Sequence, residues 1–556
     1  MFFRLRSDLL RYLQPQVAIS EQELNTGLSR LTWEGVFSNG FTSIISSGFL
    51  AAFALALGAS NLQIGLLAAI PPITQILQIL AIFLIEKVRR RKAITVISWL
   101  LAQLFWFPIA IIPFFVSVPS PLAVSLLLWL MIFRGLLNSI STCAWNSWVF
   151  DLVPKKVLGS IFARRAILTT IATVLFGLGG AFFVDYWGDH YTGIAGIQGY
   201  SFVILFGALF MGLVSPVILA LTPEPIMQRP EVPVSPLRAL SSPFMDQNFK
   251  WLLAFLFFWS FASNLAIPFF SVYMLQIIGI PVSAVIALYM LSQYFSILFL
   301  RVWGPLVDKF SNKAVLSLCA SLYLLVILGW CFIMTPDRHS LTIPLLIILH
   351  IFAGIASGGV TLTISTIGLK IAPINQSTSY LSCASLCIFI GSGLGPMLGG
   401  FLADFFSQRQ FIMTFNWTDP LHSMQFSALS ITGFSFLFII AFILGILTLS
   451  LLASLREEGE VSREVVLETL LTPMRELSRP VTAVLPYYIA HLPFYRLIRK
   501  IPIPGLDIAL SVLAYQVGAV AGIILKYIIL SLKVLRRVIQ MAGIRLGGYI
   551  KEKIQS

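Results

Sequence analysis

Charge is scarce in this chain. Only 11% of its 556 residues are Asp, Glu, Lys or Arg, while 58% are hydrophobic and the mean hydropathy is +0.91. A water-soluble domain carries about 25% charged residues. No water-surrounded core hides such an apolar excess, so most of the chain must meet lipid. Cysteine is also rare. The five, Cys143, Cys319, Cys331, Cys383 and Cys387, all lie inside apolar runs, and no disulfide framework is readable. Cys383 and Cys387 share a helix face, which reads as a packed helix interface. The five histidines are scattered, without the spacing of metal ligands. No G-x-x-x-x-G-K-[ST] segment occurs, which excludes an ATP-driven pump of that type. No local signature suggests a Ser-His-Asp set. No catalytic residue, metal or cofactor is therefore expected. Acids are the scarcer sign: 23 Asp and Glu face 37 Lys and Arg, a formal net charge of +14. The basic residues form no soluble basic domain, so nucleic acid is not an expected partner. They fall in short clusters between apolar runs, as membrane topology would place them.

What is there is a series of long apolar runs. A span needs about 20 mostly apolar residues, and about twelve runs meet that length. The first six are Leu31–Leu57, Leu62–Ile85, Ala93–Val116, Leu122–Leu152, Ile161–Val184 and Tyr200–Leu221. The next six are Trp251–Ile278, Val282–Leu306, Ala314–Met334, Leu341–Ile371, Tyr380–Ala403 and Gln425–Leu452. The predicted class is an all-α membrane protein with two six-helix halves, residues 31–221 and 250–453. A Pro-rich polar linker, 222–249, divides them. Residues 1–30 read as a basic amphipathic segment at the membrane surface, and 454–556 as a helical extension.

Charge orients the bundle. The first, third and fifth connections of each half carry, between them, only Arg338 and Arg409 as basic residues. The alternate connections carry EKVRRRK from Glu86, PKK from Pro154 and DKFSNK from Asp308. Positive-inside places these connections and the N-terminus in the cytoplasm of a cell (inner or plasma) membrane. Sliding the chain by 219 residues lays Phe133–Gly135 on Phe352–Gly354, Pro154 on Pro373, Gly180 on Gly399, Phe182 on Phe401 and Asp185 on Asp404. The matched Gly, Pro and Asp are what apolar composition does not predict, and they point to an internal repeat.

Together these features resemble the major facilitator superfamily, secondary transporters built of two six-helix halves. The resemblance covers roughly Arg30 to Leu452. Its loop motif G-x-x-x-D-[RK]-x-G-[RK]-[RK] is matched by Gly304, Asp308, Lys309 and Lys313, with Ser311 at the usual glycine. The first-half copy keeps Glu86, Arg90 and the basic cluster but loses both glycines. The motif G-x-x-x-G-P-x-x-G-G is complete in helix eleven as Gly391, Gly395, Pro396, Gly399 and Gly400. The family's antiporters carry it in helix five, where this chain keeps only Gly177, Gly179 and Gly180. Arg134 resembles the intramembrane arginine of helix four in proton-coupled exporters.

These motifs have a physical reading. An acid at a loop can meet the dipole of a helix N-terminus in the other half. Glu86, Arg90, Asp308, Lys309 and Lys313 are thus expected to form a cytoplasmic latch. Asp308 would meet helix five at Gly159 and Ser160, and Glu86 would meet helix eleven at Gln376 and Ser377. The glycines of helix eleven let helices approach closely, and Pro396 is expected to bend it. Asp185 and Asp404 read equally as gate residues and as solvated helix ends.

The resemblance implies a central cavity along helices one, four, seven and ten. Stripes lie there on one side of each helix: Asn39, Thr42, Ser43 and Ser46; Arg134, Asn138, Ser141, Thr142 and Trp145; Ser260, Ser263, Asn264 and Ile267; His350, Ser357 and Thr361. A lipid-facing stripe would be costly, so these should face inward. Arg134 sits about 18 Å along its helix, near the midplane, where a charge is expensive and normally functional. The expected substrate-binding set is Arg134, Asn138, Asn39, Ser43, Ser263, Asn264, His350 and Ser357. The expected proton-coupling candidates are Glu34, Arg134 and His350. Each has a plain alternative: a structural arginine held by carbonyls and Asn138, a snorkelling Glu34, a packed His350.

The expected function is secondary active transport of a small organic solute, anionic or amphipathic, by alternating access. The rival reading is a non-transporting scaffold or assembly factor that docks a partner through residues 454–556. Expected partners are a small-molecule substrate and the lipid bilayer, with the chain a monomer. Within the extension, 505–525 is long enough to span, but spanning alone would put its basic tail outside.

Overall fold

The computed structural model describes residues 14–45, 47–154, 158–227, 236–309, 311–334, 340–373, 377–418 and 423–457. The first thirteen residues and the extension from 458 onward, with its 505–525 run, lie outside the described residues. Among the described residues, 11 helices are long and apolar enough to cross a membrane. A pair bent by 41°, Glu21–Ile44 with Gly48–Ala56, supplies one more as the first span. Spans two to six are Asn61–Val88, Arg91–Phe115, Pro121–Leu152, Arg164–His190 and Ile194–Ala220. Spans seven to twelve are Gln247–Ile278, Val282–Asp308, Asn312–Phe332, Thr342–Ile371, Ser379–Phe406 and Phe434–Leu452. The chain is an integral membrane protein of two six-helix halves.

Local chemistry starts these helices. Ser20 and Glu23 form a capping box on the first span, and Ser60 and Gln63 form one on the second. Each box satisfies amides that have no partner in the first helical turn. Ser120 caps span four ahead of Pro121, Asp246 caps span seven through the amides of Asn248 and Phe249, and Ser311 caps span nine. Span seven ends in a π-turn, Tyr273–Ile278, and Gly279 at φ 71° lets the chain turn sharply into span eight.

Three boundaries differ from the sequence-based ones. The first helix begins at Glu21, so 21–30 are its opening turns and not a separate surface segment. The linker contains a short helix, Pro236–Met245. The third difference is an addition to the all-helical expectation. Strands β1 (Gln410–Thr418) and β2 (Ser423–Thr432) form an antiparallel hairpin between spans eleven and twelve, with an irregularity between Met413 and Thr414. The expected start of span twelve at Gln425 therefore falls within β2, and the helix begins at Phe434. Short apolar runs do not separate strand from helix by periodicity alone, and the aromatic and Thr-rich composition of β1 favours the pleated form.

The glycines of span eleven are used for contact. A Cβ on Gly391, Gly395 or Gly399 would lie 2.4, 2.5 and 2.3 Å from the carbonyl oxygens of Phe257, Phe261 and Leu265. Two helices of the second half thus touch backbone to backbone, every fourth residue against every fourth residue. The same helix meets the first half. A Cβ on Gly400 would lie 2.5 Å from the Asn61 oxygen, and one on Gly65 would lie 2.2 Å from the Pro396 oxygen. Span eleven continues as one helix, Ser377–Phe406, through Pro396. In span five a Cβ on Gly177 would lie nearest to the side chains of Met290 and Ser43, at 2.6 and 3.3 Å, and one on Gly179 would meet nothing within 4 Å.

The repeat is visible in how each half is stapled at the N-terminal face, the end of the bundle that holds Ser20 and Glu224. Glu224, just past span six, accepts the backbone N–H of Arg91 at the start of span three at 2.7 Å. Glu457, just past span twelve, accepts those of Asn312 and Lys313 at the start of span nine at 3.1 and 2.8 Å. Lys92 Nζ donates to the Thr222 carbonyl and Lys313 Nζ to the Leu455 carbonyl, at 3.0 and 2.7 Å. Burial pushes the Glu224 carboxyl up, against the opposing pull of the Lys92 and Arg91 amides and charges.

Candidate functional site

Between the halves lies a cavity of about 420 Å³. It is built from spans one, two, three, four, seven and eleven. Span four contributes Met131, Arg134 and Asn138; span seven contributes Asn264, Ile267 and Pro268; span three contributes Trp99 and Trp106. Thr42 of span one and Pro396 of span eleven complete the lining. The 131, 134, 138 spacing places the three span-four residues on one helix face. Among the described residues Arg134 has no counter-charge. Its Nε is buried and has no hydrogen-bond partner, and its guanidinium lies 4.7 Å from the Trp106 ring centroid, a cation–π contact.

A second compartment of about 170 Å³ lies toward the N-terminal face, and Trp99 lines both. Its centre is an ion pair between Glu34 of span one and Arg165 of span five, at 2.9 Å. Glu34 is buried and also accepts from Ser215 Oγ at 3.1 Å. Ser215 in turn accepts from Trp99 Nε1 at 3.1 Å, and Arg165 stacks on Trp145 at 5.3 Å. A polar chain thus joins Glu34 to a wall of the main cavity.

The structure brings Arg134, Asn138 and Asn264 together at the cavity. The other sequence-based candidates bond their own helices. Asn39 donates to the Gly35 carbonyl, Ser43 to Gly40, Ser263 to Trp259 and Ser357 to Gly354. His350 is buried, its Nδ1 2.8 Å from the Leu346 carbonyl, with Tyr289 and Trp330 edge-on at 5.8 and 5.6 Å. None of these five lines the cavity. Span ten, expected to line it, instead packs on span eight: a Cβ on Gly354 would lie 2.1 Å from the Ser292 oxygen. Trp99, Trp106, Arg165 and Ser215 were not singled out for the site by sequence. Arg165 reads as the last charge of the basic stretch Pro154–Arg165, which carries ARR after PKK, and the two tryptophans stand among twelve.

At the face away from the N-terminus the halves are joined by carboxylate caps. Asp185, at the end of span five, accepts the amides of Val282 and Ser283 at 3.0 and 2.8 Å. Asp404, at the end of span eleven, accepts those of Asn61 and Leu62 at 3.1 and 2.9 Å. At the N-terminal face Glu86, Arg90 and Asp308 are exposed, and Lys313 is tied within its own half; the side chain of Lys309 lies outside the described residues.

Comparison with known proteins agrees with this architecture. The Major Facilitator Superfamily model matches residues 32–300 and again 260–549. No curated protein sequence matches the chain. Among solved structures, the nucleoside transporter NupG aligns with a TM-score of 0.58 at 12% identity, covering 77% of this chain and 98% of that one. A POT family transporter in complex with 5-aminolevulinic acid aligns at 0.53 and 12% identity, covering 80% and 97%. A bacterial homologue of the iron transporter ferroportin, in an inward-facing state, aligns at 0.53 and 12%, covering 78% and 99%. At these identities the likeness is one of fold. The double family match, the two six-helix halves and the cavity between them converge: the chain belongs to the Major Facilitator Superfamily of transporters.

Proposed function

We propose that this protein is a secondary active transporter that carries a small organic solute by alternating access, with Arg134 as the central binding residue. The observation that carries this reading is the half-buried Arg134 guanidinium, its Nε buried and without a counter-charge among the described residues, at a cavity between the two halves. A charge kept at such cost is normally retained for a ligand or a coupled ion. The caps of Asp185 and Asp404 seal one face. Glu86, Arg90, Asp308, Lys309 and Lys313 close the other face when the halves rock. With the N-terminus in the cytoplasm of the cell membrane, the described state opens inward. Glu34, paired with Arg165 and chained to Trp99, is the residue through which a proton couples to the cycle. The chain works as a monomer, and the residues beyond 457 serve as a docking element.

The test is flux into proteoliposomes holding the full chain. Wild-type protein transports a solute that binds it, and Arg134→Ala inserts and folds but does not transport. Undiminished flux in Arg134→Ala would overturn the central role of this residue.

A further inference from the structure

Among the described residues that line it, the cavity carries one charge and little other polarity. Arg134 is the only ionisable side chain among its described lining residues; Thr42, Asn138 and Asn264 are the uncharged polar ones among them capable of good hydrogen bonds, beside two indoles. Asn264 is already engaged by Ser260 and Ser392. The nearby pair of Glu34 and Arg165 neutralises itself. These facts constrain the ligand by charge. A buried cation without a partner costs several kcal/mol, and a ligand with one negative charge removes that cost. A second negative charge on the ligand would find no cation. The ammonium of a zwitterion would find no carboxylate. A nucleoside or sugar would bury many hydroxyls against carbon, each costing about 1–3 kcal/mol when unpaired.

Resting on the reading of this cavity as the transport site, we infer that its substrate is a monoanionic organic acid with a mainly hydrocarbon body. The carboxylate sits on the Arg134 guanidinium, which offers its fork in a bidentate geometry, with Asn138 beside it. The body lies against Trp106, Met131 and Ile267. The ring of Trp106, already over the guanidinium, shields the ion pair from water. A cavity of about 420 Å³ suits a molecule of this kind.

Four related probes test this: 3-phenylpropanoate, its amide, phenylalanine and benzylsuccinate. They share a phenylalkyl body and carry a single negative charge, none, a zwitterion and a double charge. Binding is read on the purified full chain by melting temperature and by fluorescence of Trp99 and Trp106. The expected result is that 3-phenylpropanoate binds at least about tenfold tighter than the other three, a difference of about 1.4 kcal/mol. Arg134→Gln melts higher than wild type without ligand, because an unpaired charge is gone, and shows no shift with 3-phenylpropanoate. Arg134→Lys keeps a preference for the monoanion at reduced affinity. Equal or tighter binding of the amide, phenylalanine or benzylsuccinate overturns the inference, as does an undiminished shift in Arg134→Gln or no binding of 3-phenylpropanoate. Flux separates the two levels. Binding of 3-phenylpropanoate without flux overturns the transporter reading and leaves the ligand class standing. Preferred flux of phenylalanine or the amide does the reverse.

Discussion

Asp404 accepts the backbone N–H of Leu62 at 2.9 Å, so a carboxylate at the end of span eleven caps the first turn of span two in the opposite half. Asp185 and Ser283 repeat the relationship at 2.8 Å between spans five and eight. Each acid faces the positive end of a helix whose first amides lack intrahelical partners. The repeat thus builds two equivalent clasps at one face.

Removing the clasps should free that face. An N-terminal cap contributes about 1 kcal/mol, so Asp185→Ala with Asp404→Ala should shift the closed-to-open balance by roughly 2 kcal/mol, about thirtyfold. A cysteine at Thr42, in a cysteine-free background, reports it through an impermeant maleimide added from the clasped face. Asn at either position, which keeps an acceptor, should have the smaller effect. Labelling unchanged in the double variant would show that the caps do not hold the face shut.

Gly395→Ala should destabilise the protein while Gly179→Ala should not. The added methyl of the first falls 2.5 Å from the Phe261 oxygen, whereas that of the second meets nothing within 4 Å. Overpacking of this kind costs about 1–3 kcal/mol. Melting temperatures of the two purified variants decide it, and equal losses would refute backbone contact as the role of the motif. Transport should follow the same order.

Arg165→Met should be among the most damaging single changes. It leaves Glu34 buried and unpaired, which costs about 3–5 kcal/mol. Adding Glu34→Leu should recover most of the loss. A double-mutant cycle on thermal stability measures the coupling; additive effects would mean that the pair at 2.9 Å contributes nothing specific.

Glu34→Gln should separate exchange from accumulation. The amide keeps the contact with Ser215 but carries no titrating proton, so solute counterflow continues while uptake driven by a pH gradient stops. His350→Gln should leave that pH dependence intact, since its ring faces Tyr289 and Trp330 and bonds the Leu346 carbonyl. Gradient-driven uptake by Glu34→Gln at the wild-type rate would remove the carboxylate from the coupling path.

Much of the fold was legible because lipid imposes one rule. A segment in hydrocarbon must satisfy its own backbone, so length and apolarity alone reveal the spans. Arg134 was legible for the same reason, as a charge well inside an apolar span. Asn39, Ser43, Ser263, His350 and Ser357 were less so. A polar side chain in a span can satisfy itself on the carbonyl three or four residues back, and its position on the helix does not say whether it does so or faces a ligand.

The sequence by itself determined the membrane class and the charged Arg134 inside an apolar span, because polar groups are costly in lipid, and it carried the repeat and the small residues of helix eleven in matched Gly, Pro and Asp. Tertiary structure decided the rest. It chose spans two, three and eleven in place of ten as cavity walls, paired Glu34 with Arg165 across spans one and five, and set Asp185 and Asp404 on the amides of the opposite half. These are relations between residues far apart in the chain, as far as Asp404 from Asn61. They depend on how closely helices approach, which backbone contacts such as Gly395 on Phe261 set and hydropathy does not encode.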